Sequence, residues 1–177
     1  MKLRNQLLAL ACLAGFCVLG YLYVQAWVVQ KPFGIILFVS DGMLTRHLTI
    51  ARVYEGGAEA RLTLEAFPNV ALLRNPAKDF AVPDEAAAAT ALATGHRVAH
   101  RELSVDGQGR PLQTILDLAR AQGRSIGIVT NGPLTAPTPA AFYGHSEDAK
   151  ESNALALQLA EGDRPDLILG GGAGDFL

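Results

Sequence analysis

The stretch "VPDEAAAATALATGHRV", Val82 to Val98, carries the reading on which the fold turns. Two acids, Asp84 and Glu85, open a run of small apolar residues that closes at Gly95. Alanine is the strongest helix former, so Ala86 to Thr94 is read as a helix with Gly95 as its stop. Asp84 suits the N-cap, where a short carboxylate accepts a free backbone N–H. Glu85 falls in the first turn, where the helix dipole favours negative charge. Capping accounts for both acids locally. A functional role for them rests on the rest of the chain.

Working outward, strand-like and helix-like segments alternate. Ile35 to Val39 is a continuous apolar run, the pattern of a strand covered on both faces, and it ends in Ser40-Asp41-Gly42. Leu44 to Tyr54 has helical spacing and stops at Gly56-Gly57. Leu62 to Phe67 reads as a short helix and Asn69 to Arg74 as a candidate strand. Asp106-Gly107 marks a tight turn. Leu112 to Gln122 is an amphipathic helix closed by Gly123. "RSIGIVTNG", Arg124 to Gly132, is a second buried strand, Ser152 to Glu161 a further helix, and "DLILGGG", Asp166 to Gly172, a strand with a glycine turn. This alternation predicts an α/β domain with a largely parallel sheet. Such sheets gather their sites at the carboxyl ends of strands. Asp41, Thr130-Asn131 and Gly170-Gly171-Gly172 are expected at such ends. Asp41 is therefore both a ligand candidate and a plain turn former before Gly42. The closing "LGGGAGDFL" leaves a strand and turns, the pattern of a fold interrupted partway.

The apolar residues, half of the 177, are unevenly placed. Leu7 to Val29 holds 23 residues without a charge, preceded by Lys2 and Arg4. A helix of that length crosses a bilayer of about 30 Å. The basic residues 1–6 should remain cytoplasmic and send residues 30–177 outward, after a short break at Gln30-Lys31-Pro32. An uncleaved anchor over residues 7–29 is favoured over a signal peptide cut after Ala26, because Tyr21 to Tyr23 are bulky for a cleavage region. Export follows from either, which places the body in the periplasm or outside the cell. Cys12 and Cys17, the two cysteines, both lie in this run, so the body has neither a disulfide framework nor a cysteine metal site. Without Lys2 and Arg4, 13 basic residues face 17 acidic ones, a balance of about −4. No basic tract stands out, and nucleic acid is not an expected partner.

Three segments, in order, resemble the alkaline phosphatase family: "FVSDGM" with Asp41, "VPDEAAAATALATG" with Asp84 and Glu85, and "TPAAFYGH" from Thr138 to His145. "SVDGQGRPLQTILDLARAQG" and "DLILGGG" are similar to the same family, so the resemblance runs from Gly34 to Leu177. It implies a three-layer α/β sandwich with a largely parallel central sheet, incomplete in this chain. The implied reaction is hydrolysis of phosphate monoesters with two zinc ions and one magnesium. Asp41 corresponds to the carboxylate that bridges metals, Thr138 to the hydroxyl ligand of magnesium. The helix opened by Asp84 corresponds to the one that carries the nucleophile. The chemistry fits those types. Phosphoryl transfer is largely positioning and charge neutralisation, hard oxygens suit magnesium, and a helix N-terminus aims N–H groups at phosphate. Dimers occur in the family, so a homodimer is compatible with the resemblance.

The chain departs from the pattern in three places. Glu85 stands where the family has its nucleophilic serine, and Thr90, the nearest hydroxyl, lies more than a turn further on. A carboxylate is longer and already negative, so it occupies phosphate space and repels the dianion. Three outcomes follow, in order of preference. Glu85 binds metal and imitates a phosphorylated serine; it orients a metal-bound water; or it attacks to form an acyl phosphate. Second, the family clamps phosphate with an arginine soon after the segment matching Thr138 to His145. Here that stretch is Ser146 to Lys150, and no arginine occurs between Arg124 and Arg164. Lys150 supplies charge without a planar fork, and its reading as a solvated surface lysine before a helix is the favoured one. Third, the family's remaining zinc ligands belong to a C-terminal half, and His47, His96, His100 and His145 do not match them. His96 and His100 have i, i+4 spacing, but Gly95 ends the helix before them. Asp117, Asp163, Asp166 and Asp175 read as surface or turn acids.

The expectation is a membrane-tethered, alkaline-phosphatase-like hydrolase with weak or lost activity. Its rivals are a non-catalytic envelope protein that binds a metal or a phosphate-like anion, and a remnant that does not fold stably.

Overall fold

A computed structural model describes residues 2–28, 34–162 and 165–177. The chain divides into two units, Met1–Met43 and Leu44–Leu177. The break expected at Gln30 to Pro32 and the acid Asp163 lie outside the described residues.

The first unit is dominated by helix α1 (Lys2–Tyr23), continued by a π-helical turn over Val24–Val28. Lys2–Ala26 is apolar enough to cross a membrane. Its 25 residues span about 37 Å at the helical rise, enough for a hydrocarbon core of about 30 Å. Helix begins at Lys2, ahead of the apolar run that starts at Leu7. The expected strand Ile35 to Val39 is irregular instead, with Ile35, Ile36 and Phe38 all exposed. A continuous apolar run fits a strand only when a neighbour takes up its backbone groups, and no described residue pairs with it. Asp41 and Gly42 form a turn, with Gly42 at φ 67°, which agrees with the turn-former reading of Asp41.

In the second unit, α2 (Thr45–Gly56) and a short 3₁₀ turn (Thr63–Ala66) lie where helical spacing put them. Asn69 to Arg74, a candidate strand, is irregular, with Val70 and Leu72 exposed and no ladder partner among the described residues. α3 (Glu85–Thr94) is capped as the sequence dictates. The Asp84 carboxylate accepts the Ala87 N–H at 2.9 Å, and Gly95 turns left-handed at φ 74° while its N–H returns to Ala91 O at 3.0 Å. α4 (Ile115–Ala121) is shorter than the amphipathic run Leu112 to Gln122. Its start is fixed by reciprocal caps: Thr114 N–H donates to Asp117 at 2.8 Å, and Asp117 N–H donates to the Thr114 hydroxyl at 3.2 Å. Asp117 is thus a helix cap rather than a loose surface acid.

β1 (Gly127–Pro133) and β2 (Leu167–Gly171) run parallel, in register from Gly127 opposite Leu167 to Val129 opposite Leu169, with a shift before Pro133 meets Gly171. The parallel sheet expected from the alternation is present, with two strands among the described residues. Thr130 and Asn131 fall inside β1 and not at its carboxyl end, because the ladder continues to Pro133. Between the strands come the short helix α5 (Pro137–Ala140) and α6 (Ser152–Glu161). A 3₁₀ turn, Ala173–Phe176, follows the glycines.

The core explains the alanines. Ala86, Ala89 and Ala93 of α3 pack with Leu103, Ala140, Ala141 and Leu155 in one buried cluster. Methyl-sized side chains let α3 and α5 approach closely. A second cluster, Ile128, Leu134 and Leu159, lies under the sheet with Tyr143 against it. The Asp166 carboxylate accepts the Ile126 N–H at 2.8 Å and holds the two strands at their start; Asp175 accepts the Thr135 hydroxyl.

Candidate active site

The amino end of α3 is where the sequence-predicted residues meet. Glu85 is the first residue of α3 and is exposed. Thr138 lies in α5, whose Pro137 sits in the first helical position where a missing N–H costs nothing. Glu85 Oε1 accepts the Thr138 hydroxyl at 3.1 Å and the Thr138 N–H at 3.3 Å. Residues 53 positions apart are thereby joined by one carboxylate oxygen.

Asp84 points elsewhere. One of its oxygens caps Ala87, and the other accepts the Arg101 N–H at 2.8 Å. It therefore ties the start of α3 to the loop that leaves the helix. That loop is held along its length. His100 N–H donates to Asp79, the His100 ring stacks on Phe80 with centroids 4.5 Å apart, and its Nε2 bonds Val82 O at 2.9 Å. Structural duty thus explains His100, and His96 lies beyond the helix end with its N–H on the Thr94 hydroxyl at 3.1 Å. Both lie after the helix stop at Gly95.

Arg101 is the residue that sequence reasoning missed. Its backbone is left-handed at φ 69°, and its guanidinium forks onto Asp148, with Nε to Oδ1 at 3.1 Å and a second bond from a terminal nitrogen to Oδ2. The guanidinium holds the Asp148 carboxyl below the usual carboxylate range, chiefly by hydrogen bonding. The stretch Ser146 to Lys150 has no arginine of its own, yet an arginine from 47 positions earlier reaches it. Nothing local in "HRVAHREL" signals this; only the chain's return past α3 creates it. Lys150 is exposed, and its N–H donates to Asp148 at 3.1 Å. Asp41 lies in the first unit.

Ser104, also left-handed at φ 49°, is buried behind the site with Thr90. Its N–H donates to the Thr90 hydroxyl at 2.9 Å, its hydroxyl donates to Ala141 O at 2.6 Å, and its carbonyl accepts His145 Nδ1 at 2.8 Å. His145 is held in turn by a two-way clasp with the Gln158 amide, both bonds 2.8 Å. It serves the scaffold.

The donor set bears on the implied metals. The Glu85 carboxylate and Thr138 hydroxyl are hard oxygens of the kind magnesium prefers, but they are two donors for an ion that takes six. Among the described residues, no group of three or more His, Cys, Asp or Glu side chains is placed to hold a metal. The donor chemistry at this helix start is of the kind a magnesium ion takes.

An α/β domain with a parallel sheet, an acid-capped alanine helix and a threonine hydroxyl at that helix start defines a recognisable class. The alkaline phosphatase family model matches residues 34–177, and the chain belongs to that family. It is 32% identical over 173 residues to alkaline phosphatase 4 of Drosophila melanogaster, covering 81% of this chain and 29% of that one. It is 33% identical over 165 residues to streptomycin-6-phosphate phosphatase of Streptomyces griseus, covering 80% and 37%. Among solved structures, the cold-active alkaline phosphatase of a psychrophilic Shewanella superposes with a TM-score of 0.71 at 35% identity, over 78% of this chain and 36% of that one. The fold is thus alkaline-phosphatase-like, and the chain spans about a third of the length of the relatives it matches.

Proposed function

We propose that this chain is the amino-terminal part of an alkaline-phosphatase-like, metal-dependent phosphomonoester hydrolase whose activity is weak or lost through Glu85. The observation that carries the reading is the double hydrogen bond from Thr138 to Glu85 Oε1. It supports a carboxylate held as a fixed anion at the position of the family's serine, with Thr138 as its partner. Asp41 and Thr138 are proposed as metal ligands, Glu85 as a ligand in place of nucleophile, and Lys150 as a weak contributor of positive charge to substrate. Magnesium, and zinc with ligands from elsewhere, would supply neutralisation of phosphoryl charge. This chain's own part is to place hydroxyl and carboxylate oxygens, to aim the free N–H groups of α3 at an anion, and to keep that helix start fixed through Asp84.

The exposed apolar helix near the N-terminus supports an inner-membrane anchor with the body exported; family membership supports phosphate monoesters or like anions as partners. A homodimer belongs to the same proposal by family likeness. The second reading, a non-catalytic envelope protein that binds metal or anion, is favoured by the same fixed carboxylate.

The test is turnover of an aryl phosphate with magnesium and zinc by a full-length form that contains this chain, wild type against Glu85→Ser, beside calorimetric titration with magnesium and with phosphate. A rise in turnover with serine supports the hydrolase reading. Binding without turnover in both proteins supports the module. Family-like turnover of the wild type that falls on substitution refutes the role given to Glu85.

A further inference from the structure

We infer that Ser104 and Thr90 are positioning residues that set the register of Glu85 against Thr138. The inference rests on the proposed reading of Glu85 and Thr138 as metal ligands. Its starting point is the smoothness of the helix contact. Ala86, Ala89 and Ala93 of α3 share a buried cluster with Ala140 of α5 and Ala141 after it; the larger buried members, Leu103, Phe142 and Leu155, come from outside both helices. Methyl groups on both sides fix how close the helices come. They form low ridges that resist sliding poorly, in contrast to the interlocking side chains that usually set helix register. Yet Glu85 must meet Thr138 within hydrogen-bonding distance, and a slide of about 1 Å would break bonds already 3.1 and 3.3 Å long.

Ser104 supplies the missing register. It stands between the two helical segments and spends each of its polar groups on a different neighbour. Its N–H reaches Thr90 in α3, and its hydroxyl reaches the carbonyl of Ala141, one turn beyond Thr138. Its carbonyl accepts His145 Nδ1 and the Leu112 N–H, both at 2.8 Å. Thr90, Ser104 and Ala141 have no solvent exposure, so these bonds have no water to replace them. Ser104 also holds a left-handed backbone conformation that disfavours every residue with a side chain. A glycine would adopt it freely but would lack the hydroxyl that reaches Ala141. The bridge is directional where the alanine contact is not.

The experiment reads the Glu85–Thr138 contact directly, by the backbone amide resonance of Thr138 in the full chain in detergent, with no metal or substrate present. In wild type, Glu85→Gln should move that resonance. Thr90→Val keeps the shape of the side chain but removes the acceptor for Ser104; Thr90→Ser retains it. The shift caused by Glu85→Gln should shrink by at least about half in a Thr90→Val background and persist in Thr90→Ser, the signature of coupled sites. Ser104→Gly should behave as Thr90→Val does. Equal shifts in all backgrounds, or loss of the shift in Thr90→Ser as well, would overturn the inference. If Ser104→Gly fails to fold, the two Thr90 variants decide. Because no turnover is measured, failure of the hydrolase reading in the Glu85→Ser assay leaves this result standing. Absence of any shift in wild type would instead remove the Glu85–Thr138 pair itself.

Discussion

Removing the Asp84 carboxylate separates its two duties. Asp84→Ala deletes the cap on Ala87 and the bond to the Arg101 N–H together. An N-cap of this kind contributes about 1 kcal/mol. The second bond, from the backbone N–H of exposed Arg101, contributes the ordinary net value of a hydrogen bond, about 1 kcal/mol. The expected loss is therefore about 2 kcal/mol, which at a urea dependence of about 2 kcal/mol per molar lowers the unfolding midpoint by about 1 M. Asp84→Asn is the sharper variant. Its amide oxygen can still cap Ala87, but its NH₂ then faces the Arg101 N–H, donor against donor. It should lose about half as much as alanine. The assay is urea unfolding of the full chain in detergent, followed by far-ultraviolet circular dichroism. A midpoint for Asp84→Ala within about 0.2 M of wild type, or a greater loss for asparagine than for alanine, would refute the two-bond account.

The remaining expectations concern pH and packing. The Asp106 carboxyl is drawn down to about 2, first by the Arg110 side chain, and Asp148 is lowered by Arg101. Folded values below the unfolded ones mean that this stabilisation is complete above about pH 4. It is lost as pH falls through the folded values; melting temperature should drop over that window, and Arg110→Ala should flatten part of the drop. Burial pushes the Tyr143 hydroxyl up to about 12. Its contribution is present below about pH 10 and lost as pH rises through the folded value, so an absorbance titration near 295 nm should lose its latest step in Tyr143→Phe. At Gly144 an added methyl would lie 2.8 Å from Leu155 Cδ2 and 3.2 Å from Ala140 O. Gly144→Ala should cost about 1–3 kcal/mol by overpacking, and an unchanged melting temperature would contradict that contact.

Local chemistry made much of the fold legible. The helices Thr45–Gly56, Glu85–Thr94 and Ser152–Glu161, the strands Gly127–Pro133 and Leu167–Gly171 and the turn after Asp106 follow from periodicity, caps and glycines within a few residues of one another. Ile35 to Val39 and Asn69 to Arg74 show the limit. Apolar content marks a segment that suits a strand, but a ladder requires a second segment, and no window of sequence contains it.

The sequence by itself determined that Glu85 stands at the head of an alanine helix capped by Asp84, because capping and helix propensity act over three or four residues. It determined, too, that an apolar helix precedes the body. Tertiary structure alone decided that Glu85 receives Thr138, that Arg101 forks onto Asp148, and that Ser104 spans Thr90 and Ala141. Those partners lie between 14 and 53 positions apart. A hydrogen bond is a condition on distance and angle in space, and chain order fixes neither until the alanine face of α3 has packed.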